Sequence, residues 1–242
     1  MQAGADMLDI TGALSALDWW QSAGVDTPIA EEPRNWLAEH RVTAATAPAI
    51  SVAAAPAALP NTLAGFHQWI AEAPDMADGS RQGRRILPSG DAISGIMVMI
   101  DMPEPADGAA GSLLSDDSGR LFDKMLAAIG RDRASVYFAS LCFERPIGGQ
   151  TNPAAIVRMG EIARHHIALA APKRLLLMGQ AVSRAILGTE LISARGKLHG
   201  VNHDGAKTEA VATFAPRFLI QSPARKADAW RDLRLLIGGI EF

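Results

Sequence analysis

The feature that most constrains this chain is an alternation, from residue 96 onward, of strand-length apolar runs with segments whose apolar residues recur at helical spacing. The runs are apolar at nearly every position, so a strand formed from one of them needs cover on both faces. Helices that connect such strands place them parallel in one sheet. The alternation predicts an α/β fold, a three-layer α/β/α sandwich with a central four-stranded parallel sheet. The predicted strands are 96–100, 135–143, 174–178 and 210–214, and the predicted helices are 119–129, 152–171, 180–187 and 223–237.

The first 60 residues are predicted to be a helical N-terminal extension with a linker. Apolar residues at helical spacing predict a helix over Leu8–Gln21 and a shorter one over Pro33–His40. The stretch Thr43–Pro60 is rich in Ala, Thr and Pro and carries no charged residue, as is typical of a linker or an extended arm. The sequence therefore predicts an extension over 1–60 and a domain over 61–242.

Charge is distributed unevenly along the chain, whose net charge is −3. Residues 1–150 carry 10 Lys and Arg against 19 Asp and Glu, whereas residues 151–242 carry 13 against 7. A polyanion such as nucleic acid would therefore meet the second part of the chain. The alternative is a drift of surface charge with composition.

Composition also limits the compartment and the cofactors. No apolar run approaches the roughly 18 to 20 residues of a membrane-spanning helix, and Asp6 and Asp9 interrupt any signal-peptide core. We therefore expect a cytoplasmic monomer without membrane contact. The single cysteine, Cys142, excludes an internal disulfide and any cysteine-ligated cluster within one chain. No cofactor and no metal are predicted.

Ligands of parallel sheets bind at the loops that follow the strand C-termini. In these loops the chain reads IDMPE at 100–104, FERP at 143–146, LLLMGQAV at 175–182 and ATFAP at 212–216. In this order and spacing the fragments resemble the motifs G-E-x-P-G, K-C-R-P-P, L-L-x-L-G-x-x-A and A-T-F-H-P of the uracil-DNA glycosylase superfamily, in the form of its thermophile-type iron–sulfur members. The resemblance extends from residue 90 to residue 236 and implies the same α/β fold.

The departures from these motifs concern chemistry. Where the family has an asparagine that reads the base edge this chain has Ser140, and where an aromatic side chain stacks on the flipped base it has Leu114. The motif histidine that donates to the developing oxyanion is replaced by Ala215. The resemblance thus implies a base pocket at Met102, Pro103, Leu114 and Ser140 with degenerate catalytic motifs.

One acid of the family pattern is retained. Asp101 stands where the family has the glutamate thought to orient water, and an aspartate there can act as base or stabilise an oxocarbenium-like centre. A carboxylate that only caps loop amides is the alternative. The tight glycine of the first loop is replaced by Glu104, for which a positive φ would be costly. Two cluster-cysteine positions hold Glu144 and Met159, so the cluster is not expected.

Two histidines are candidates for the missing donor. His199 and His203 lie in an irregular, Gly-rich segment, 194–206, before the last predicted strand. Either could replace the donor if this segment folds over the pocket, and a plain polar loop is the alternative. The His-x-x-x-His-Asp spacing also allows a metal site, although a Gly-containing loop does not fix its geometry. His165 and His166 are assigned to the surface or to packing.

The resemblance and the basic charge together predict DNA as partner, since phosphate contacts need only correctly placed cations. Leu219, with Phe218, occupies the place of the family's minor-groove wedge. The predicted DNA-binding residues are Arg195, Lys197, Pro216, Arg217, Leu219, Arg225 and Lys226. Four acids of the first loop would repel phosphates and favour a changed ligand: Glu104, Asp107, Asp116 and Asp117.

Two functional hypotheses follow. The first is a divergent, cluster-free DNA glycosylase of base excision repair, which hydrolyses the N-glycosidic bond of a flipped base in uracil-containing or damaged DNA, with Asp101 as the catalytic acid. The second is a catalytically inactive member of the superfamily that binds a nucleic acid, or a protein partner through residues 1–60.

Overall fold

The central element of the fold is a six-stranded mixed sheet with helices on both faces. The computed structural model describes residues 10–24, 59–72, 84–149, 153–203 and 206–238. The chain divides into two compact units, Met1–Ala55 and Pro56–Phe242.

In the first unit the described segment forms helix α1, Ile10–Ser22, close to the predicted bounds. Its side chains Leu14, Leu17, Trp19 and Trp20 are exposed. The second predicted helix, over 33–40, lies outside the described residues, as does the linker up to residue 58.

The second unit contains the sheet. Its described strands are β1 (Ser89–Gly90), β2 (Ile96–Ile100), β3 (Tyr137–Ser140), β4 (Arg174–Met178), β5 (His199–His203) and β6 (Ala206–Thr213). Its described helices are α2 (Leu63–Glu72), α3 (Asp107–Ala110), α4 (Asp117–Ala128), α5 (Pro153–Ala170), α6 (Gln180–Leu187), α7 (Leu191–Ala194), α8 (Pro216–Gln221) and α9 (Lys226–Ile237). No helix in the described part of the chain combines the length and the apolar character that crossing a bilayer requires.

The strand order is β1-β3-β2-β4-β6-β5. The inner strands β3, β2, β4 and β6 pair in parallel, whereas β1 and β5 pair antiparallel at the two edges. The predicted α/β class is confirmed, but the sheet is mixed, and in the described part of the chain it has six strands where four were predicted. The edge strand β5 was not predicted, and it lies in the stretch that was predicted to be irregular. Only Val201 of its five residues is buried, so the segment has no apolar pattern that would indicate a strand.

Burial on both faces explains the continuous apolar runs. Along β2, Ile96, Val98 and Ile100 belong to the core that contains α4 and α9, whereas Met97 and Met99 belong to the core that contains α5 and α6. A third, smaller core joins α2 to α5. Helices therefore cover the sheet on both sides, and the C-terminal ends of the parallel strands share one edge.

Candidate functional site

The C-terminal edge of the parallel strands borders an open cavity of about 310 Å³. This volume is at the lower end of the range for small-ligand sites. Of the predicted site residues, Asp101 and Arg217 meet there. The cavity is lined by Asp101, Gly179, Gln180, Leu191, Ile192, Phe214, Ala215, Arg217 and Phe218.

Asp101 directly follows β2 and approaches the start of α6. Its Oδ1 accepts a hydrogen bond from the Val182 amide at 2.7 Å, and a helix N-terminus favours a negative charge. Burial raises the pKa of Asp101, while the amides at the start of α6 and the charge of Arg217 act in the opposite direction. The carboxylate therefore accepts hydrogen bonding from a helix start, where the alternative interpretation predicted loop amides, and it also lines the cavity.

Gly179 makes this approach possible. It joins β4 to α6 with φ 134° and ψ 172°, a conformation that residues with a side chain rarely adopt. A Cβ built on Gly179 would overlap the Asp101 carboxylate. Sequence reasoning assigned this residue no role in the site, although a glycine between an apolar strand and a helix is the signal that identifies it.

Arg217 on α8 faces Glu104. Its Nη1 lies 3.1 Å from Glu104 Oε2, and Nη1 of Arg145 lies 3.8 Å from the same oxygen. Burial raises the pKa of Glu104, and Arg217 opposes this shift. The expected backbone cost at Glu104 does not arise, because the non-glycine residues with positive φ in the described segments are Leu114 and Ala171.

Asp107 stabilises the conformation of the first loop, which follows β2. Its buried carboxylate accepts hydrogen bonds from the amides of Glu104, Leu114 and Ser115 at 2.7, 2.9 and 2.8 Å, and from the Ser115 hydroxyl at 2.6 Å. Four hydrogen bonds satisfy a buried carboxylate. The loop therefore closes on itself through Asp107.

The predicted repulsion of phosphates by the first loop stays a prediction: two of its four acids pair with arginines, and the other two accept hydrogen bonds from neutral donors. Asp107 is bonded within the loop and Glu104 faces two arginines. The other two acids have partners on α4: Asp116 accepts the Ser118 amide at 2.9 Å, and Asp117 pairs with Arg120.

The side chains predicted to form the base pocket do not line the cavity. Leu114 and Ser140 are each 2% exposed and Met102 is 8% exposed, and Pro103 is buried as well. The Ser140 hydroxyl donates to the Cys142 carbonyl at 2.7 Å. The four predicted pocket residues therefore lie in the buried part of the fold and not in the wall of the cavity that Asp101 lines.

Phe214 and Phe218 form an aromatic wall of the cavity. Their ring centroids are 4.9 Å apart and the rings are nearly parallel. Leu219, predicted as part of the wedge, is 1% exposed and belongs to the core, so it cannot enter a groove in this conformation. The exposed apolar side chains of α8 are Phe218 and Ile220.

Arg195, predicted to contact phosphate, is bound within the fold. Its Nε donates to Asp232 Oδ2 at 2.8 Å, and its guanidinium lies 4.1 Å from the centre of the Phe214 ring. Its side chain is 13% exposed. Arg195 therefore packs against the Phe214 ring and stabilises its position in the cavity wall.

The other predicted DNA-binding residues differ in exposure. Lys197 and Lys226 are exposed, and Arg225 is 55% exposed while it pairs with Asp228 at 3.3 Å. Pro216 is buried at the first position of α8, where its fixed φ suits a helix start. The free cations therefore lie on the segments around α7 and α9.

The two candidate histidines are bonded elsewhere. Nε2 of His199 lies 2.7 Å from the Ala194 carbonyl oxygen, and Nε2 of His203 lies 2.8 Å from the Thr208 hydroxyl. His203 pairs with Ala206 at the start of β6, at the sheet edge opposite Asp101. Neither lines the cavity, so the condition under which one of them would replace the donor, folding over the pocket, is not met in this structure.

The cluster positions do not fit an iron–sulfur cluster. Sδ of Met159 lies 3.3 Å from Sγ of Cys142 within the core, and Cys142 is the chain's single cysteine, whereas a cluster is held by several cysteines. In the described segments no three His, Cys, Asp or Glu side chains converge to hold a metal. One chain therefore lacks the set of cysteine ligands that such a cluster needs.

Comparison with known proteins covers the same part of the chain. The family described as "UDG: Uracil DNA glycosylase superfamily" matches residues 88–234. The type-4 uracil-DNA glycosylase of Pyrobaculum aerophilum is 22% identical over 157 residues, which cover 62% of this chain and 80% of that protein. The matched span runs from β1 into α9 and contains every residue that lines the cavity.

Proposed function

Because the chain belongs to the uracil DNA glycosylase superfamily, we propose that it is a DNA glycosylase, which hydrolyses the N-glycosidic bond of a base flipped out of DNA. The observation that carries the proposal is the Asp101 carboxylate, which lines an open cavity together with Arg217 at the C-terminal edge of the sheet. Base excision repair of uracil-containing or damaged DNA is the corresponding process.

Asp101 is the group that acts on the reacting centre. As the C1′–N bond breaks, the bonding electron pair leaves with the base and positive charge develops on the sugar. The Asp101 carboxylate stabilises this charge. Water then adds to C1′, and its proton passes to Asp101 and on to solvent. The leaving base takes up one proton, so the products are a free base and an abasic site.

The cavity walls suit a planar ligand. Phe218 is 40% exposed and offers aromatic surface, and Ile192 is 66% exposed and offers apolar surface. Aromatic side chains stack on bases of any sequence. Arg217 lines the cavity, and Lys197 and Lys226 are exposed, so these cations would neutralise backbone phosphates.

The test is a single-turnover assay with excess protein on labelled oligonucleotides that contain one uracil, single-stranded or opposite G or A. Abasic product is detected by alkaline cleavage. We expect product with the wild type and a loss of at least about 100-fold in Asp101→Asn, the lower limit for a general acid–base group. The asparagine keeps an oxygen that accepts the Val182 amide, so the fold is retained.

Glu161→Gln is the matched control. It makes the same carboxyl-to-amide change at a half-exposed ion pair with Arg158 on α5, and we expect wild-type rates. An Asp101→Asn protein as active as the wild type would contradict the assigned role of this acid.

A second candidate function is a non-catalytic module that binds nucleic acid or a protein partner. It is favoured by the use of Asp101 as the cap of α6 and by the burial of Met102, Leu114 and Ser140. The exposed Trp19 and Trp20 of α1 favour a protein contact through residues 1–60. Salt-dependent binding without any abasic product in the same assay would support this candidate.

A further inference from the structure

Two arginines from separate segments converge on one carboxylate oxygen. Nη1 of Arg217 lies 3.1 Å from Glu104 Oε2, and Nη1 of Arg145 lies 3.8 Å from the same atom. Glu104 belongs to the loop after β2, Arg145 to the loop after β3 and Arg217 to α8. Segments far apart in sequence therefore meet at a single buried negative charge, beside the predicted base pocket.

This carboxylate is a poor match for two guanidinium groups. Arginine binds an anion best through two parallel hydrogen bonds to two oxygens, whereas both contacts here use Oε2 and the longer one exceeds hydrogen-bond distance. Nη1 of Arg145 donates to the Pro103 carbonyl at 2.8 Å instead. Burial of Glu104 also raises its pKa, so the charged form is held against a desolvation cost. An anion placed so that each of its two oxygens faces one guanidinium would engage the two arginines better.

Arg217 connects this cluster to solvent. Its side chain is 41% exposed and that of Glu104 is 6% exposed, while Arg145 is intermediate at 28%. Arg217 also lines the cavity that contains Asp101. From the cavity, Arg217 is therefore the more accessible of the two arginines.

We propose that Arg145 and Arg217 form a binding site for a backbone phosphate of nucleic acid, and that Glu104 occupies this site in the free protein. The proposal rests on the proposed function only in taking DNA as the ligand. A phosphodiester shares one negative charge over two non-bridging oxygens, whose spacing matches the fork of a guanidinium. Ligand binding then exchanges one ion pair for another, and Glu104 sets the affinity for polyanions.

The test compares the wild type with Glu104→Gln, which removes the charge and keeps the shape of the side chain. Binding to an undamaged single-stranded oligonucleotide is followed by fluorescence anisotropy across a salt series. We expect binding to tighten by at least about fivefold at low salt and the logarithmic salt slope to steepen by about 0.7, since one more cation is free to pair with phosphate. Equal or weaker binding by Glu104→Gln overturns the proposal.

Asp116→Asn is the matched control for a general charge effect. It removes one negative charge from the same loop, and asparagine also serves as a helix N-cap. The gain of Glu104→Gln should exceed that of Asp116→Asn and should vanish when Arg217→Ala or Arg145→Ala is added. A gain that survives removal of both arginines overturns the proposal.

The backbone chemistry is tested with an oligonucleotide of the same sequence that carries neutral methylphosphonate linkages. The proposal expects no gain for Glu104→Gln on this probe, and an equal gain overturns it. If Glu104→Gln does not fold, Arg145→Gln and Arg217→Gln must each weaken binding and flatten the salt slope, and unchanged binding in both overturns the proposal.

These outcomes are separate from those of the glycosylase assay. Binding to undamaged DNA needs no base excision, so a protein that releases no base can still bind as expected. Conversely, an active glycosylase whose Glu104→Gln variant binds no more tightly leaves the catalytic proposal intact.

Discussion

At the scale of single residues, the position of Asp101 depends on the absence of a side chain at Gly179. We expect Gly179→Ala to lower the free energy of unfolding by more than about 1 kcal/mol, because the backbone there has φ 134°. The added Cβ would also push the Asp101 carboxylate away from α6. The free energy of unfolding measured in urea and the single-turnover rate should both fall.

Gly188→Ala is the matched control at the other end of α6. Gly188 has φ 70° and a Cβ there would meet no atom within 4 Å, so the substitution introduces backbone strain without a clash. We expect it to cost about 1 to 2 kcal/mol and to leave the single-turnover rate unchanged. Equal loss of rate in both variants would show that α6 as a whole, and not the carboxylate, is responsible.

The protonation of Asp101 gives the proposed reaction an acidic limb. Burial raises the pKa of Asp101, and the Arg217 charge lowers it. The carboxylate form therefore predominates above this pKa and is lost as the pH falls through it. Arg217→Ala removes the opposing charge, so the acidic limb of the single-turnover rate should move to higher pH. Arg217→Lys keeps the charge and should restore the limb; an unmoved limb in Arg217→Ala would contradict the assignment.

The sequence predicted some of these residues and not others, for a physical reason. Asp101 and Arg217 could be predicted because each follows a recognisable parallel strand, whose C-terminal end lies at the shared edge. The burial of Leu114 could not be predicted, because it depends on two hydrogen bonds to its backbone. Asp107 accepts one from the Leu114 amide, and Arg133 donates one to the Leu114 carbonyl at 2.8 Å. Such closure of a loop by distant partners has no local sequence signal.

At the scale of elements, strands β2 and β4 have the bounds that the sequence predicts. Both are buried at every residue, so their apolar runs coincide with the strand. The edge strand β5 has the sequence HGVNH with one buried residue, and its conformation comes from antiparallel pairing with β6. Where the partner strand determines the structure, periodicity within the segment predicts little.

Helix α2 is joined to the sheet by a buried chain of hydrogen bonds. The Tyr137 hydroxyl lies 2.6 Å from Nε2 of His67 on α2 and 2.7 Å from Nε2 of His166 on α5. Burial lowers the pKa of His166 from 6.5 to about 3, and burial also lowers the pKa of His67. The folded protein therefore holds His166 neutral at a pH where the unfolded chain binds a proton.

This difference predicts how stability depends on pH. Between pH 6.5 and about 3 the unfolded chain binds one proton more at His166 than the folded protein, so stability falls as the pH decreases through this window. His166→Gln can still bond Tyr137 but does not titrate. Its unfolding free energy should fall less steeply, by about 1.4 kcal/mol per pH unit within the window. Urea unfolding at a series of pH values measures the slope, with His199→Gln as control; identical slopes for His166→Gln and the wild type would contradict the prediction.

At the scale of the whole molecule, the charge count overstates the basic surface of the second part of the chain. Arg195 pairs with the buried Asp232, Arg164 donates to the Ala185 carbonyl, and Arg174 is 8% exposed and pairs with Glu209. These cations stabilise the fold and are not free for phosphate. The prediction of a polyanionic partner therefore rests on the cations that remain exposed, such as Lys197 and Lys226.

The division of the chain into two units predicts which residues the second unit requires for its stability. The compact unit begins at Pro56, and its first described residues are bound to it: Leu59 packs on the small core of α2 and α5, and the Pro60 carbonyl lies 2.8 Å from Nε2 of His165. We expect a protein spanning 56–242 to keep the thermal midpoint and the single-turnover rate of the full chain. A protein spanning 61–242 loses both contacts, which should cost about 1 to 2 kcal/mol of unfolding free energy. In a domain of this size that loss lowers the thermal midpoint by several degrees. A lower midpoint for 56–242 would show that residues 1–55 contribute to the fold, whereas an unchanged midpoint with loss of a partner contact would assign them to binding.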